Sequence, residues 1–288
     1  MRAPPVRQEL SGERLHFQHG PIDLVLKAWG EPAQVRLAGE AAWARFHDML
    51  RELAAELEEL RKPMDELPVA AGRTARRMID ACSPFEGHFI TPMAAVAGAV
   101  ADETLQAMTE AAKLDRAFVN DGGDIALHLA PGHSIRMGVM GDFSRGDVPL
   151  ASAGIVIRSQ DAVRGVATSG ARGRSFSLGI ADSVTVLARS AALADAAATL
   201  IGNAVDCADP GIRRQRAAEL DPDSDLGDRL VTVVVPPLDP DDIDAALSCG
   251  IAFARGLLAR GVICDASVVL QGRTLSLNPS QARMETAS

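Results

Sequence analysis

The chain has 288 residues, 47% of them hydrophobic and 23% charged, with a mean hydropathy of +0.07; it can bury a substantial core as one large domain or two lobes. A formal charge of -9 excludes the non-specific nucleic-acid binders, whose affinity rests on surplus lysine and arginine. No run reaches the roughly 18 apolar residues of a membrane span, and MRAPPVRQELSGERLHF lacks the apolar stretch of a secretory signal, so a cytoplasmic protein without membrane contact is expected.

In chain order, residues 1–12 read as a flexible tail. Leu15–Gly30 reads as a strand pair turning at His19-Gly20-Pro21. Trp43, Phe46, Leu50, Leu53, Leu57 and Leu60 recur at three- and four-residue spacing and predict an amphipathic helix over Ala41–Lys62, stopped by Pro63. A loop and a short helix follow over Pro63–Asp80. Ile90–Met108 reads as a small-residue helix opened by Thr91 and Pro92, and its alanines with Gly98 imply a very close neighbour. Ala117–Leu129 reads as strand, glycine turn, strand; further strands are expected near 134–141, 153–159 and Ala181–Ala188. After a helix around Asp195, the polar stretch Asp206–Asp228 reads as an exposed excursion. Leu230–Pro236 then reads as a buried strand, Asp241–Ala259 as a helix, and Ala266–Leu270 and Thr274–Leu277 as closing strands. Residues 279–288 read as a disordered tail. Mixed helices and antiparallel pairs favour an α+β fold over a doubly wound sheet. Cys82, Cys207, Cys249 and Cys264 are scattered without zinc-ligand spacing, and the histidines do not converge on a nucleophile.

Three constellations bear chemistry. Asp195, Thr199 and Asn203 recur every fourth residue, which places acid, hydroxyl and amide on one helix face. Such oxygens suit a hard cation such as Mg²⁺; an acid near a helix start beside a threonine bonded back to a carbonyl gives the same pattern. Asn120-Asp121-Gly122-Gly123-Asp124 is a glycine nest open to a ligand or a plain hairpin turn. Ala167-Thr168-Ser169-Gly170 with Arg172 and Arg174 is a phosphate-holding turn or a solvated loop.

Taken together, Val119-Asn120-Asp121-Gly122-Gly123-Asp124-Ile125, Ala167-Thr168-Ser169-Gly170, Val184-Thr185-Val186 and Ala194-Asp195-Ala196-Ala197-Ala198-Thr199 resemble, in order, the VNxGGDI, ATSG, VTV and ADAxxT motifs of the ApbE-like superfamily, the FAD:protein FMN transferases. The likeness spans Pro92–Thr199, weakens before Ile90 and after Asp206, and is greatest to an uncharacterised, largely cytoplasmic branch of proteins of unknown function. It implies an ApbE-like (T-fold-like) α+β domain over residues 13–278, in one body or two lobes, with largely antiparallel sheets and packed helices. By the same resemblance, Asp195 and Thr199 ligate Mg²⁺. Asn120, Gly122, Gly123 and Asp124, with Thr168, Ser169 and Gly170, border the flavin cleft. Arg172 and Arg174, beside that turn, are candidate anion-binding residues on their own chemistry.

The family's His-x-x-Asp-Pro-x-Thr-Gly stretch has no counterpart in Arg174–Asp182, where only Asp182 corresponds. That leaves Asp182 or Asp124 as the catalytic base of a Mg²⁺-dependent enzyme on FAD or a related dinucleotide. Such an enzyme transfers FMN to a protein acceptor or, with water as acceptor, cleaves the pyrophosphate. The alternatives are a non-catalytic flavin- or nucleotide-binding protein, and an enzyme of ring or cofactor metabolism using the cleft for another small anion. A homodimer is expected only because closed symmetric pairs are the commonest oligomers.

Overall fold

The computed structural model describes residues 4–139, 153–171 and 175–278. Strands β1 (Val6–Leu10), β2 (Arg14–His19) and β3 (Ile22–Trp29) form an antiparallel meander. In β3, Ile22, Leu24 and Leu26 alternate inward, as a period of two requires. The turn at Gly20-Pro21 is as expected, but β1 replaces the expected tail. VRQEL carries no apolar alternation; β1 is held by backbone pairing to β2, by an Arg7–Glu40 ion pair at 2.8 Å and by Arg7 lying 5.9 Å over the Phe17 ring.

Helix α1 (Pro32–Ala55) starts nine residues ahead of the apolar pattern, because Pro32 opens it and Glu31 caps it, accepting from the Ala33 and Gln34 amides at 3.1 and 3.3 Å. The expected single helix breaks at Glu56 before α2 (Leu57–Leu60). There the carboxylate turns away to accept from Ala71 and Gly72 at 2.7 and 2.8 Å, fixing the entry to α3 (Arg73–Cys82). A 3₁₀ turn at Pro92–Ala95 leads into α4 (Val96–Ala111). Next come β4 (Arg116–Asp121), β5 (Asp124–Leu129), β6 (Ser134–Val139), β7 (Ala153–Arg158), β8 (Gly165–Ser169), β9 (Ser183–Ala188) and α5 (Ala191–Ala204). The chain closes with β10 (Arg213–Arg216), α6 (Ala217–Leu220), β11 (Leu230–Val234), α7 (Pro240–Ala259), β12 (Asp265–Leu270) and β13 (Arg273–Ser276). The architecture is α+β, with antiparallel pairing in most of the strand contacts.

The chain divides into two units: Met1–His133 with Arg158–Ala167 and Leu187–Ala196, and Ser134–Ile157 with Thr168–Val186 and Ala197–Ser288. In the first, the strand order is β1-β2-β3-β4-β5, continued by the start of β8 through Ile125↔Val166 and Ala126↔Gly165. Helices α1 and α4 pack together, with α4 against β4 and β5, around Phe17, Leu24, Leu26, Phe46, Met49 and Met108. In the second unit α7 lies on the antiparallel β12–β13 hairpin, and β10–β11 and β6–β7 form two-stranded ribbons. Leu230–Pro236 is therefore not a wholly buried strand: among the described residues β11 pairs with β10 alone, and while Val231 is buried, Leu230 and Val233 are 55% and 39% exposed. Among the described residues no helix is long and apolar enough to cross a membrane.

Glu103 of α4, 1% exposed, ties the helices of the first unit. It faces Arg45 Nε at 2.9 Å, Arg73 Nε at 3.2 Å and Arg77 Nη2 at 3.3 Å. Burial alone would raise its pKa; Arg45, Arg73 and Arg77 outweigh that and hold it below the ordinary 4.5. Its contribution is thus present above the unfolded pKa and is lost as pH falls through the lowered folded value. Glu103→Gln should destabilise by about 3 kcal/mol at neutral pH, the range for breaking a buried ion cluster. Urea unfolding at pH 7 and pH 3 checks this: the difference between wild type and variant should shrink at the acid end.

Candidate functional site

The β4–β5 hairpin builds one side of the site. Asp121 pairs with Asp124 across a two-residue turn in which Gly122 and Gly123 have φ of 63° and 118°, a conformation glycine adopts without strain. Asn120 Oδ1 accepts from the Gly123 amide at 2.8 Å and locks the turn. The space over Gly123 is open. Directly opposed residues share a sheet face, and Asp121 and Asp124 are both buried, at 5% and 9% exposure.

Asp195 supplies the third carboxylate. It stands on the second turn of α5 and reaches the first turn of α4, where Oδ2 accepts from the Gly98 amide at 3.1 Å and the Ala97 amide also donates. Burial, foremost, and then the charge of Asp124 push its pKa well above 3.8; Asp121 adds to this, against the two amides. Beneath it, the Cys82 thiol donates to the Thr91 carbonyl at 3.4 Å. Burial and the Asp195 charge push that thiol far up, so it stays protonated.

The arrangement is reciprocal. Asp102 of α4 accepts through Oδ1 and Oδ2 from the Ala191 and Ala192 amides of α5, at 3.1 and 2.9 Å. Each helix therefore caps the other's first turn with a carboxylate, satisfying orphan amides and the positive dipole ends. Gly98 permits the crossing: a Cβ there would lie 2.3 Å from Ala191 O and 2.6 Å from Ala192 N. This is the close neighbour that the small residues of α4 implied.

Capping accounts for the position of Asp195 but not for two further acids beside it. Three carboxylates in electrostatic contact are what a divalent cation relieves. Among the described residues no three His, Cys, Asp or Glu side chains could hold a metal by themselves. Thr199 follows Asp195 by one turn of α5.

The remaining predicted residues lie in the second unit. Ala167-Thr168-Ser169 is the end of strand β8 and not a loop; small residues hid the strand. Thr168 Oγ1 lies 3.2 Å from Thr185 Oγ1. Gly170 is demanded by backbone: a Cβ would meet Asp182 O at 2.4 Å, beside the Ala171 amide bonded to Ala181 O at 2.8 Å. One oxygen of Asp182, Oδ2, accepts from the Gln271 amide at 2.6 Å and holds the β12–β13 turn. Arg172 and Arg174 lie outside the described residues. The sequence reading missed Asp121, although the Asp-Gly-Gly-Asp turn fixes it opposite Asp124. It also missed the Ala97 and Gly98 amides, which nothing local marks.

Fold and site thus define an α+β protein whose two crossing, mutually capped helices place a carboxylate beside an acidic hairpin. A family model described as "AbpE bacteria" matches residues 7–276, and the chain belongs to that family. It is similar to the UPF0280 protein of Methanosarcina acetivorans, 34% identical over 205 residues that cover 70% of this chain and 75% of that one. It is also similar to the UPF0280 protein of Methanothrix thermoacetophila, 39% identical over 144 residues, 50% of this chain and 55% of the relative. Among solved structures, the apo form of Pseudomonas stutzeri flavinyl transferase ApbE aligns over 94% of this chain and 93% of its own, at 16% identity and a TM-score of 0.41.

Proposed function

We propose that this chain is a Mg²⁺-dependent enzyme of flavin dinucleotides that transfers FMN from FAD to a protein hydroxyl, or hydrolyses the FAD pyrophosphate when water is the acceptor. The observation that carries the reading is Asp195, hydrogen-bonded to the start of α4 with Asp124 and Asp121 in its electrostatic surroundings, in a chain whose ordered motifs resemble the FMN transferases. Asp195 and Thr199 would hold Mg²⁺, which when bound would supply positive charge to the pyrophosphate and the leaving phosphate.

The chain's own residues do the rest. The turn, open over Gly123, would admit the ligand, and Asn120 holds its shape. The acceptor oxygen bonds to the FMN phosphorus, the bond from that phosphorus to the bridging oxygen breaks, and AMP leaves with that oxygen. The acceptor's proton passes to Asp124, which stands with Asp195; Asp182 is the weaker candidate, since Oδ2 is engaged by Gln271. Binding without turnover is the second reading, favoured by the absence of histidine from Arg174–Asp182.

Incubation with FAD, with and without Mg²⁺, followed by assay of AMP and flavin fluorescence, separates the two. AMP formed only with Mg²⁺ is the expected result. Saturable binding without AMP selects the second reading, and neither at millimolar FAD overturns both.

A further inference from the structure

The geometry points to a second anion site, confined to the first unit and independent of the proposed dinucleotide site: a cleft between α3, α4 and the start of α5 that binds a small phosphate ester. The cleft measures about 430 Å³, within the range of small-molecule sites. Arg73, Arg76, Arg77 and Asp80 fall at i, i+3, i+4 and i+7 of α3, one stripe of the helix, and all four line it with Glu103 and Gln106.

A stripe of arginines is ordinarily explained by its ion pairs, and here the pairs fall short. Glu103 already takes Arg45 as well as Arg73 and Arg77. Arg77 Nη2 is engaged by Glu103 and Gln106, while Arg77 Nε is buried with no acceptor. A buried donor left unmade is costly, so the ion pairs of the stripe do not satisfy all of its donors. Among the described residues Arg76 donates only to the Ala71 carbonyl, at 2.6 Å. Asp80 and Glu103 are the acids of the lining, Glu110 beside it pairs with Arg73 at 3.5 Å, and among the described residues Arg76 has no ion pair.

The first-turn amides of α5 are not the attraction. Asp102 takes those of Ala191 and Ala192, and Ser190 Oγ accepts from Leu193 at 3.2 Å. The arginines carry the site, and their planar forks match phosphate oxygens. Ala81 and Leu193 line the same cleft and offer an apolar wall to the carbon part of the ester.

Calorimetric titration with glycerol 3-phosphate and with inorganic phosphate, in Mg²⁺-free buffer at constant ionic strength set with chloride, tests the assignment. The ester should bind more tightly than inorganic phosphate. Arg76→Ala and Arg73→Ala, at exposed positions, should each weaken it about tenfold, the usual loss for one charge-assisted bond. Asp80→Asn should strengthen it, and Asp195→Asn should leave it unchanged. Binding no stronger than chloride's, indifference to Arg76→Ala, loss with Asp195→Asn, or inorganic phosphate bound in preference to the ester would each overturn it. Failure here leaves the Asp195 reading intact, and failure there leaves this one.

Discussion

Gly98→Ala is expected to destabilise the protein by about 3 kcal/mol or more, at the upper end of overpacking effects. The added carbon would lie 2.3 Å from Ala191 O, 2.4 Å from Ala191 C and 2.6 Å from Ala192 N. All three are backbone atoms of the α5 entry, so no side chain can move aside. The helices would have to separate, and both caps depend on their distance: Asp195 on the Gly98 amide at 3.1 Å, Asp102 on Ala191 and Ala192. Gly165→Ala should be at least as severe, since its Cβ would sit 2.0 Å from Ser190 C. Gly256→Ala is the control. Gly256 lies inside α7 with nothing within 4 Å, so alanine should stabilise by roughly 0.5–1 kcal/mol through helix propensity. Chemical denaturation of the three variants reads all of this; a Gly98→Ala protein as stable as wild type would refute the crossing geometry.

Asp195→Asn is expected to abolish Mg²⁺-dependent FAD binding while leaving the fold intact. The amide oxygen of asparagine still accepts from Gly98, so the α4 cap survives. The negative charge opposed by Asp124 and Asp121 is removed, so the melting temperature should stay the same or rise. A ligand lost together with gained stability is the signature of a residue retained for function. Asp195→Ala removes the cap as well and should cost an additional ~1 kcal/mol, as for other helix caps. Calorimetric titration with FAD and Mg²⁺ checks the binding, and a thermal melt the stability. Undiminished binding by Asp195→Asn would remove this residue from the site.

Periodicity made much of this fold readable. β2–β3, the β4–β5 hairpin, α5, α7 and β12–β13 fall where alternation or 3.6-residue spacing puts them. The misses have local causes. β1 and β8 lack an apolar signature, VRQEL being polar and GVATS small; their place is set by neighbouring backbone. The apolar run of β11 suggested burial, but among the described residues its one strand partner is β10. The site was half legible. Asp195, Thr199 and the Gly-Gly turn stand out in the spacing as candidates, whereas Asp195 meets Gly98 across 97 residues and Asp102 meets Ala191 across 89. No local pattern encodes such a pairing, although Gly98 on a small-residue helix announced that something came close.

The central claim, a Mg²⁺-dependent flavin site built on Asp195, is tested most directly by titrating FAD with the wild-type protein, once with Mg²⁺ and once with EDTA, and following flavin fluorescence. Saturable binding with Mg²⁺ that is lost in EDTA is the result the account predicts. Equal affinity under both conditions, or no binding under either, would contradict it.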